Sequence, residues 1–406
     1  MHILLIHQAF ASLDEPGGTR HHELSRYLAE RGQRVSVIAS PVSYLTGALS
    51  GRRPGGEAGQ ADDDVSVQRV YTYPAFHRSF FHRVISFLSF MLSSFFAGLR
   101  VEGVNLVWGT SPPIFQGLTA WAVARLKRVP FLFEVRDLWP AFAVAVGVLR
   151  QPALVRLSEM LESFLYRKAD VVVVNSPGFI AHVQQRGARR VALVPNGSDT
   201  RMFDPQADGA EFRKTHSLGD KFVALYAGAH GMSNDLGVLL EAASRLQGRE
   251  DILIVLVGDG KEKSSLINHA ERLGLTNVRF IPAVAKMDMC ATLAAADACI
   301  AILKPVEMYK TVYPNKVFDY MAAGKPVILA IEGVIREVLE RAGAGIPIPP
   351  GDAEALGEAI LTLANDRLAG KAMGLRGRKF VEDHFDRAVL AEKMLATMMG
   401  LMQAKG

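Results

Sequence analysis

Lys316 and Asp319 stand one helical turn apart in Tyr313-Pro-Asn-Lys-Val-Phe-Asp-Tyr-Met-Ala-Ala-Gly-Lys-Pro-Val-Ile328, and the types around them define a chemistry. Pro314 and Asn315 predict a helix start, since Pro is tolerated in the first turn and Asn caps well. Gly324 predicts the C-terminal turn, and Pro326 prevents continuation. A buried strand, Val327 to Ala330, is expected next. The start of such a helix presents free backbone N–H groups and a partial positive charge, where an anion docks. Lys316 adds a full charge there, and Asp319 can accept hydrogen bonds from a pair of sugar hydroxyls. The combination reads as a nucleotide cradle; the plain alternative is an ordinary helix of a Rossmann-like domain.

Three other stretches carry candidate groups. The strand Pro130 to Val135 delivers Arg136 and Asp137 to its C-terminal end, where α/β sheets place their sites. An Arg–Asp salt bridge holding the loop is the competing reading. Ile252 to Val257 runs into Gly258-Asp-Gly-Lys261, where a glycine lets the backbone approach a phosphate closely. Lys261 would be the cation, or equally a solvated charge at a helix start. Gly17 and Gly18 lie in the loop Gln8 to Thr19 that leads into a helix over Arg20 to Arg31. This is not Gly-x-Gly-x-x-Gly, so a dinucleotide site is not supported. A tight turn remains the simpler reading of those glycines.

The 313–328 run resembles the signature of family-4 retaining glycosyltransferases of the GT-B fold. Their pattern is two glutamates eight positions apart followed by Met-Ala-x-Gly-x-Pro-Val-Ile. Here Asp319 takes the second acidic position and Thr311 the first. The Pro-Asn-Lys-x-Phe-Asp-Tyr-Met-Ala form, with Glu134-Val-Arg-Asp-Leu-Trp-Pro140, resembles a subgroup assembling bacterial surface polysaccharides, including N-acetyl-fucosamine transferases and O-antigen enzymes. The resemblance implies that Asp319 binds the nucleotide ribose. It also implies that position 311 faces the donor sugar or phosphate, and that Gly17 and Gly18 face an interdomain cleft. Val284 is then expected beside the base, and Arg136 and Asp137 beside phosphate and acceptor hydroxyl. Common family members bind the diphosphate through an Arg and a Lys after the strand Phe222 to Ala227. This chain has Gly228, His230 and Asn234 there instead, so Lys316 and Arg136 become the expected cations.

The resemblance implies two Rossmann-like α/β domains, expected at 1–201 and 202–387, with the last helix, 388–403, returning to the first. Composition agrees with a two-core chain. Its 406 residues are 49% hydrophobic with 36 glycines, as buried parallel sheets with tight turns require. A net charge of +5 is mild and fits nucleotide-sugars or acidic lipid headgroups. No nucleic-acid motif is present. Two cysteines, Cys290 and Cys299, exclude a disulfide framework and predict a cytoplasmic chain. Met1 to Ile6 reads as a strand and not a signal peptide. No Asp-x-Asp pair argues for a metal; Asp62 to Asp64 lie in a low-complexity loop over Gly47 to Asp64. No cofactor beyond the nucleotide-sugar, expected to be UDP-linked, is implied.

Phe76 to Arg100 interleaves Phe76, Phe80 and Phe81 with His77, Arg78, His82 and Arg83, then runs uncharged from Val84 to Leu99. Ser86, Ser89 and Ser93 form one polar stripe at helical spacing. The run is short for a span, which needs roughly 20 residues. It predicts either a helix on a membrane surface beside a lipid-linked or saccharide acceptor, or a core helix. The resemblance implies metal-independent, retaining transfer of an N-acetylated hexose or deoxyhexose. The rivals are a nucleotide-sugar epimerase or hydrolase on the same fold, or a non-catalytic nucleotide- or lipid-binding partner.

Overall fold

The computed structural model describes residues 1–15, 17–42, 65–74 and 80–403. The chain divides into two compact units. One comprises Met1–Ser12, Gly17–Pro195 and the chain from Ala388; the other comprises Asn196–Arg387 with a short piece beginning at Leu13.

The first unit is built on β1 (His2–Ile6), β2 (Arg34–Ala39), β3 (Val65–Arg69), β4 (Leu106–Ser111), β5 (Phe131–Val135), β6 (Val171–Val174) and β7 (Val191–Leu193). All pair in parallel, in the order β3-β2-β1-β4-β5-β6-β7. Their near-continuous apolar sequences follow from burial on both faces, since crossover helices cover a parallel sheet. The helix Arg387–Gln403 places Leu390, Ala391, Met394 and Met398 in one core with Ile3, Leu5 and Trp108.

The second unit holds β8 (Phe222–Ala227), β9 (Ile252–Val257), β10 (Val278–Ile281), β11 (Ala298–Ile302), β12 (Val327–Ala330) and β13 (Gly345–Pro347). Their order is β10-β9-β8-β11-β12-β13, again parallel. Both sheets therefore reverse direction beside their first strand, at β1/β4 and at β8/β11. Ligands of open α/β sheets bind at such switch points, beyond the C-terminal strand ends.

One local expectation is corrected. Asn315 is not the helix cap: Pro314 occupies that position in extended conformation, no side chain caps the end, and Asn315 is the first helical residue. β10 ends at Ile281, because Pro282 cannot donate to the ladder. Ahead of β8 the second unit also holds a helix, Ala210–Thr215. The helices Lys263–Arg272 and Arg367–His384 carry no sequence signal used above. The loop Gly47 to Asp64, with its three aspartates, lies outside the described residues.

The segment around position 90 is the helix Phe80–Arg100. From His82 it is long and apolar enough to cross a membrane by length and composition, with 28% of that window buried. One face is docked: Phe90 and Ala97 are buried, and a Cβ on Gly98 would lie 3.2 Å from Val123. The serine stripe faces protein. The Ser89 hydroxyl accepts from the Tyr73 N–H at 2.9 Å, and Ser93 donates to the Tyr71 carbonyl at 2.6 Å. The opposite face exposes Leu88 (51%), Leu92 (62%) and Phe96 (52%). Residues 75–79, which include Phe76, and the side chains of Phe80 and Phe81 lie outside what is described.

Candidate functional site

In the second unit the switch point is assembled by the ends of β8 and β11 and the helix Asn315–Ala322. Tyr320 ties that helix to β8, accepting from the Ala227 N–H at 2.9 Å and donating to the Ala227 carbonyl at 3.0 Å. Gly324 closes the helix in left-handed conformation, its φ of 66° favouring glycine. Lys316 then reaches across the end of β8. Its Nζ donates to the Tyr226 hydroxyl at 2.7 Å, lies 4.0 Å from the Tyr226 ring centroid, and is 3.5 Å from Asn234 Oδ1. The Tyr226 hydroxyl in turn donates to the Ala229 carbonyl at 2.8 Å. Burial pushes the Lys316 ammonium down to about 7. Among the described residues no carboxylate pairs with this lysine, whose ammonium lies against the aromatic ring.

The glycines of this region are fixed by close approach. A Cβ on Gly228 would stand 2.7 Å from Lys316 Nζ, and one on Gly258 would collide with the Gly228 carbonyl. The β8 and β9 loops are therefore in backbone contact. His230 lies beneath them, fully buried, and neither ring nitrogen has a hydrogen-bond partner among the described residues. Burial, and then the neighbouring Lys263 charge, push it down to about 4, so it is neutral near pH 7. Lys261 is exposed; the lysine that reaches the Gly258 loop is Lys263, which donates to the Gly258 carbonyl at 2.8 Å. A spacing of two residues separates them, and only the helix that starts at Lys263 decides which one turns inward.

Asp319 lies one turn along the same helix, 15% exposed. Its Oδ1 accepts from the Ser198 hydroxyl at 2.8 Å, and its Oδ2 from Lys286 Nζ at 2.6 Å. Lys286 is 11% exposed and also lies 5.1 Å from the Phe203 ring centroid. Val284, two residues earlier, is half-buried and packs on the core. Thr311 closes its own 3-10 turn, donating to the Met308 carbonyl at 2.7 Å. Asn315 is half-buried. The structure therefore gathers Lys316, Gly228, Gly258, His230 and Asn234 at one place, with Asp319 a turn further along.

In the first unit, Arg136 and Asp137 follow β5 as expected, but they form no ion pair with each other among the described residues. Arg136 donates to the Pro112 carbonyl at 2.8 Å and is half-buried, while Asp137 is exposed. Gly17 and Gly18 are exposed in the loop ahead of the helix Arg20–Ala29.

Below this loop region is a buried polar cluster that sequence reasoning missed. Glu134, fully buried on β5, accepts from Arg20 Nε at 2.9 Å, His21 Nε2 at 2.8 Å and Trp108 Nε1 at 3.0 Å. Burial raises its pKa, but Arg20 and then His21 outweigh this and hold it below the usual carboxylate range. Burial pushes His21 down to about 4 against the pull of Glu134. The ionised carboxylate therefore takes the Nε2–H of a neutral imidazole. His7 stands with its ring centroid 4.1 Å from that of His21 and bonds Thr110 at 2.8 Å, at the β1/β4 switch point. Arg20 also donates to the carbonyls of Val194 and Pro195, each at 2.7 Å. The one sequence signal was a glutamate inside an otherwise apolar strand, which a buried charge partner must satisfy.

Among the described residues, no group of three or more His, Cys, Asp or Glu is placed to hold a metal ion.

Comparison with known proteins agrees with this architecture. Residues 17–197 match the family described as "Glycosyl transferase 4-like domain", and residues 221–366 match "Glycosyl transferases group 1". The chain is 24% identical over 349 residues to WcaI of Escherichia coli K12, a glycosyl transferase named for colanic acid biosynthesis, covering 82% of this chain and 85% of that one. It is 24% identical to the O-antigen chain mannosyltransferase C of Escherichia coli, over 64% of this chain and 68% of that protein. A phosphatidyl-myo-inositol mannosyltransferase of Mycobacterium leprae is 24% identical, covering 95% of this chain and 93% of its own. Sucrose-phosphate synthase from Thermosynechococcus elongatus superposes with a TM-score of 0.80 at 20% identity, covering 99% of each chain, which shows the shared GT-B fold. With these two domain matches together spanning most of its length, the chain belongs to the glycosyltransferases of GT-B fold.

Proposed function

We propose that the second unit binds a nucleoside-diphosphate sugar, UDP-linked in our reading, and that the chain transfers its sugar with retention to a lipid-linked or saccharide acceptor. The observation that carries this reading is Lys316 and Asp319 on one helix at the β8/β11 switch point. Lys316 is a partly desolvated cation with no carboxylate partner among the described residues, next to the backbone contact of Gly228 and Gly258, and Asp319 offers a carboxylate one turn away. In transfer, the bond from the anomeric carbon to the diphosphate oxygen breaks. The acceptor oxygen forms the new bond on the same face, and its proton passes to the departing phosphate oxygen. Lys316 and backbone N–H groups at the helix start stabilise the charge that develops there. This reading needs no metal, and it assigns acceptor-side roles to Arg136 and Asp137. The donated sugar is an N-acetylated hexose or deoxyhexose, destined for a surface polysaccharide of the O-antigen kind. The names of the E. coli relatives support that destination.

The acceptor end supports a lipid. Leu88, Leu92 and Phe96 form an apolar stripe on the free face of a helix whose polar stripe is turned inward. That is the reverse of a soluble surface helix and fits a helix lying in a membrane interface. Peripheral contact with the inner face of the cell membrane, in the cytoplasm, agrees with the free cysteines Cys290 and Cys299.

The test is calorimetric binding of UDP, GDP and ADP, with EDTA present, to wild type and Asp319→Ala. UDP binding that is lost in the variant supports the reading. Binding of GDP alone would correct the donor class. Binding of no nucleotide would refute the donor site.

A further inference from the structure

Asp319 is held by two donors that no part of the functional reading above uses. Ser198 holds Oδ1 from the chain segment that opens the second unit, and Lys286 holds Oδ2 from the turn after β10. The two grips come from separate parts of the sequence, 121 and 33 residues away. A carboxylate offers about four lone-pair positions, so two remain for a ligand. An Asp carboxylate on a short stem sweeps a small volume, and two charge-assisted or hydroxyl donors on opposite oxygens fix its plane. Lys286 is itself pinned, with its stem covered and its ammonium over the Phe203 ring, so it cannot follow a wandering carboxylate. The remaining lone pairs therefore present a fixed, flat acceptor edge, the complement of two neighbouring hydroxyls.

We propose that Lys286, with Ser198, is a positioning residue that orients Asp319 onto the ribose 2′,3′-diol and thereby makes the chain select ribonucleoside diphosphate donors over 2′-deoxy, thymidine-type donors. The proposal rests on the nucleotide site described above. Specificity arises because a fixed acceptor facing a missing hydroxyl is left unpaired, whereas a mobile carboxylate would turn to water. Because Asp319 keeps some exposure, water softens the penalty, and discrimination of about tenfold per lost hydroxyl is expected.

The experiment compares UDP with 2′-deoxy-UDP, and GDP with 2′-deoxy-GDP, by calorimetry on wild type, Lys286→Met, Lys286→Arg and Ser198→Ala. Thermal melting of each variant confirms folding. Wild type should prefer the ribonucleotide by about tenfold. Lys286→Met should lose ribonucleotide affinity but bind the deoxy form as wild type does, so that the preference vanishes. Lys286→Arg should restore it, and Ser198→Ala should lower it part of the way. A purely structural lysine would lower both affinities equally, which overturns the proposal. A gain of ribonucleotide affinity in Lys286→Met also overturns it, since Lys286 would then be blocking the carboxylate. Failure of wild type to bind any nucleotide overturns both this inference and the donor site. Equal binding of ribo and deoxy forms overturns this inference alone.

Discussion

The pH dependence of donor affinity follows from one lysine. Burial holds Lys316 down to about 7, far below its ordinary value. A diphosphate bound about 4 Å away contributes about 4 kcal/mol at an effective dielectric near 20, enough to keep the ammonium protonated throughout the neutral range. Free protein must then take up a proton to bind donor above pH 7. The apparent Kd scales as one plus ten to the power of pH minus pKa, so it should rise about 25-fold between pH 6.5 and pH 8.5, or about 1.9 kcal/mol. A nucleotide-sugar is the right ligand, because it lacks the terminal phosphate ionisation near pH 6 of a free nucleotide. Calorimetry in two buffers of different ionisation enthalpy would also count the proton taken up. Stability of the free chain should move the opposite way. The unfolded chain gives up this proton near 10.5 and the folded chain near 7, so between those values the unfolded state holds more protons and folding stability rises with pH. A Kd flat across the range, or the same slope in Lys316→Met, would refute the assignment of Lys316 to the phosphate.

Other consequences concern stability and membrane contact. Glu134→Gln leaves Arg20 as a buried charge without its carboxylate and should cost about 3–5 kcal/mol, read as a lower urea midpoint. His21 titrates near 4 when folded and near 6.5 when unfolded, so its contribution is complete above pH 6.5 and is lost as pH falls toward 4. That loss is at most about 3 kcal/mol, and His21→Gln should flatten the acid limb of the stability profile. Replacing Leu88, Leu92 and Phe96 together by serine removes about 1 kcal/mol of interfacial burial each, so liposome co-sedimentation should weaken about 100-fold with little change in melting temperature. Gly258→Ala places a methyl on the Gly228 carbonyl and should lower both melting temperature and donor affinity, whereas Gly18→Ala, with open space around it, should change neither.

Much of the fold was legible because period and punctuation are local. Runs such as Ile252 to Val257 and Phe222 to Ala227 are buried on both faces and read as strands directly from their apolar, β-branched sequence. Gly324 and Pro326 ended the signature helix where expected, since left-handed conformation and a missing N–H are properties of single residues. The chain's boundaries were misjudged where one residue was given the wrong share of a motif, as with Asn315 and Pro314.

The candidate groups divide in the same way. Lys316 and Asp319 could be named from sequence because they lie on one short helix, and helix geometry alone puts them a turn apart. Their partners could not. Tyr226 lies 90 residues from Lys316, while Ser198 and Lys286 lie 121 and 33 residues from Asp319. Which side chain meets which carboxylate is set by the order of strands in the sheet and the turn each loop takes off it. The same holds for Glu134, whose partners Arg20, His21 and Trp108 come from other elements and whose charge survives burial only because they converge. Sequence alone determined the elements, the helix that carries the cation and acid, and the family they resemble. Only the tertiary structure decided that Lys263 and not Lys261 turns inward, that the serines of the long helix face protein, and that Asp319 is gripped from two sides. Hydrogen bonds and charge pairs act over a few ångströms, and only folding brings residues distant in sequence within that range.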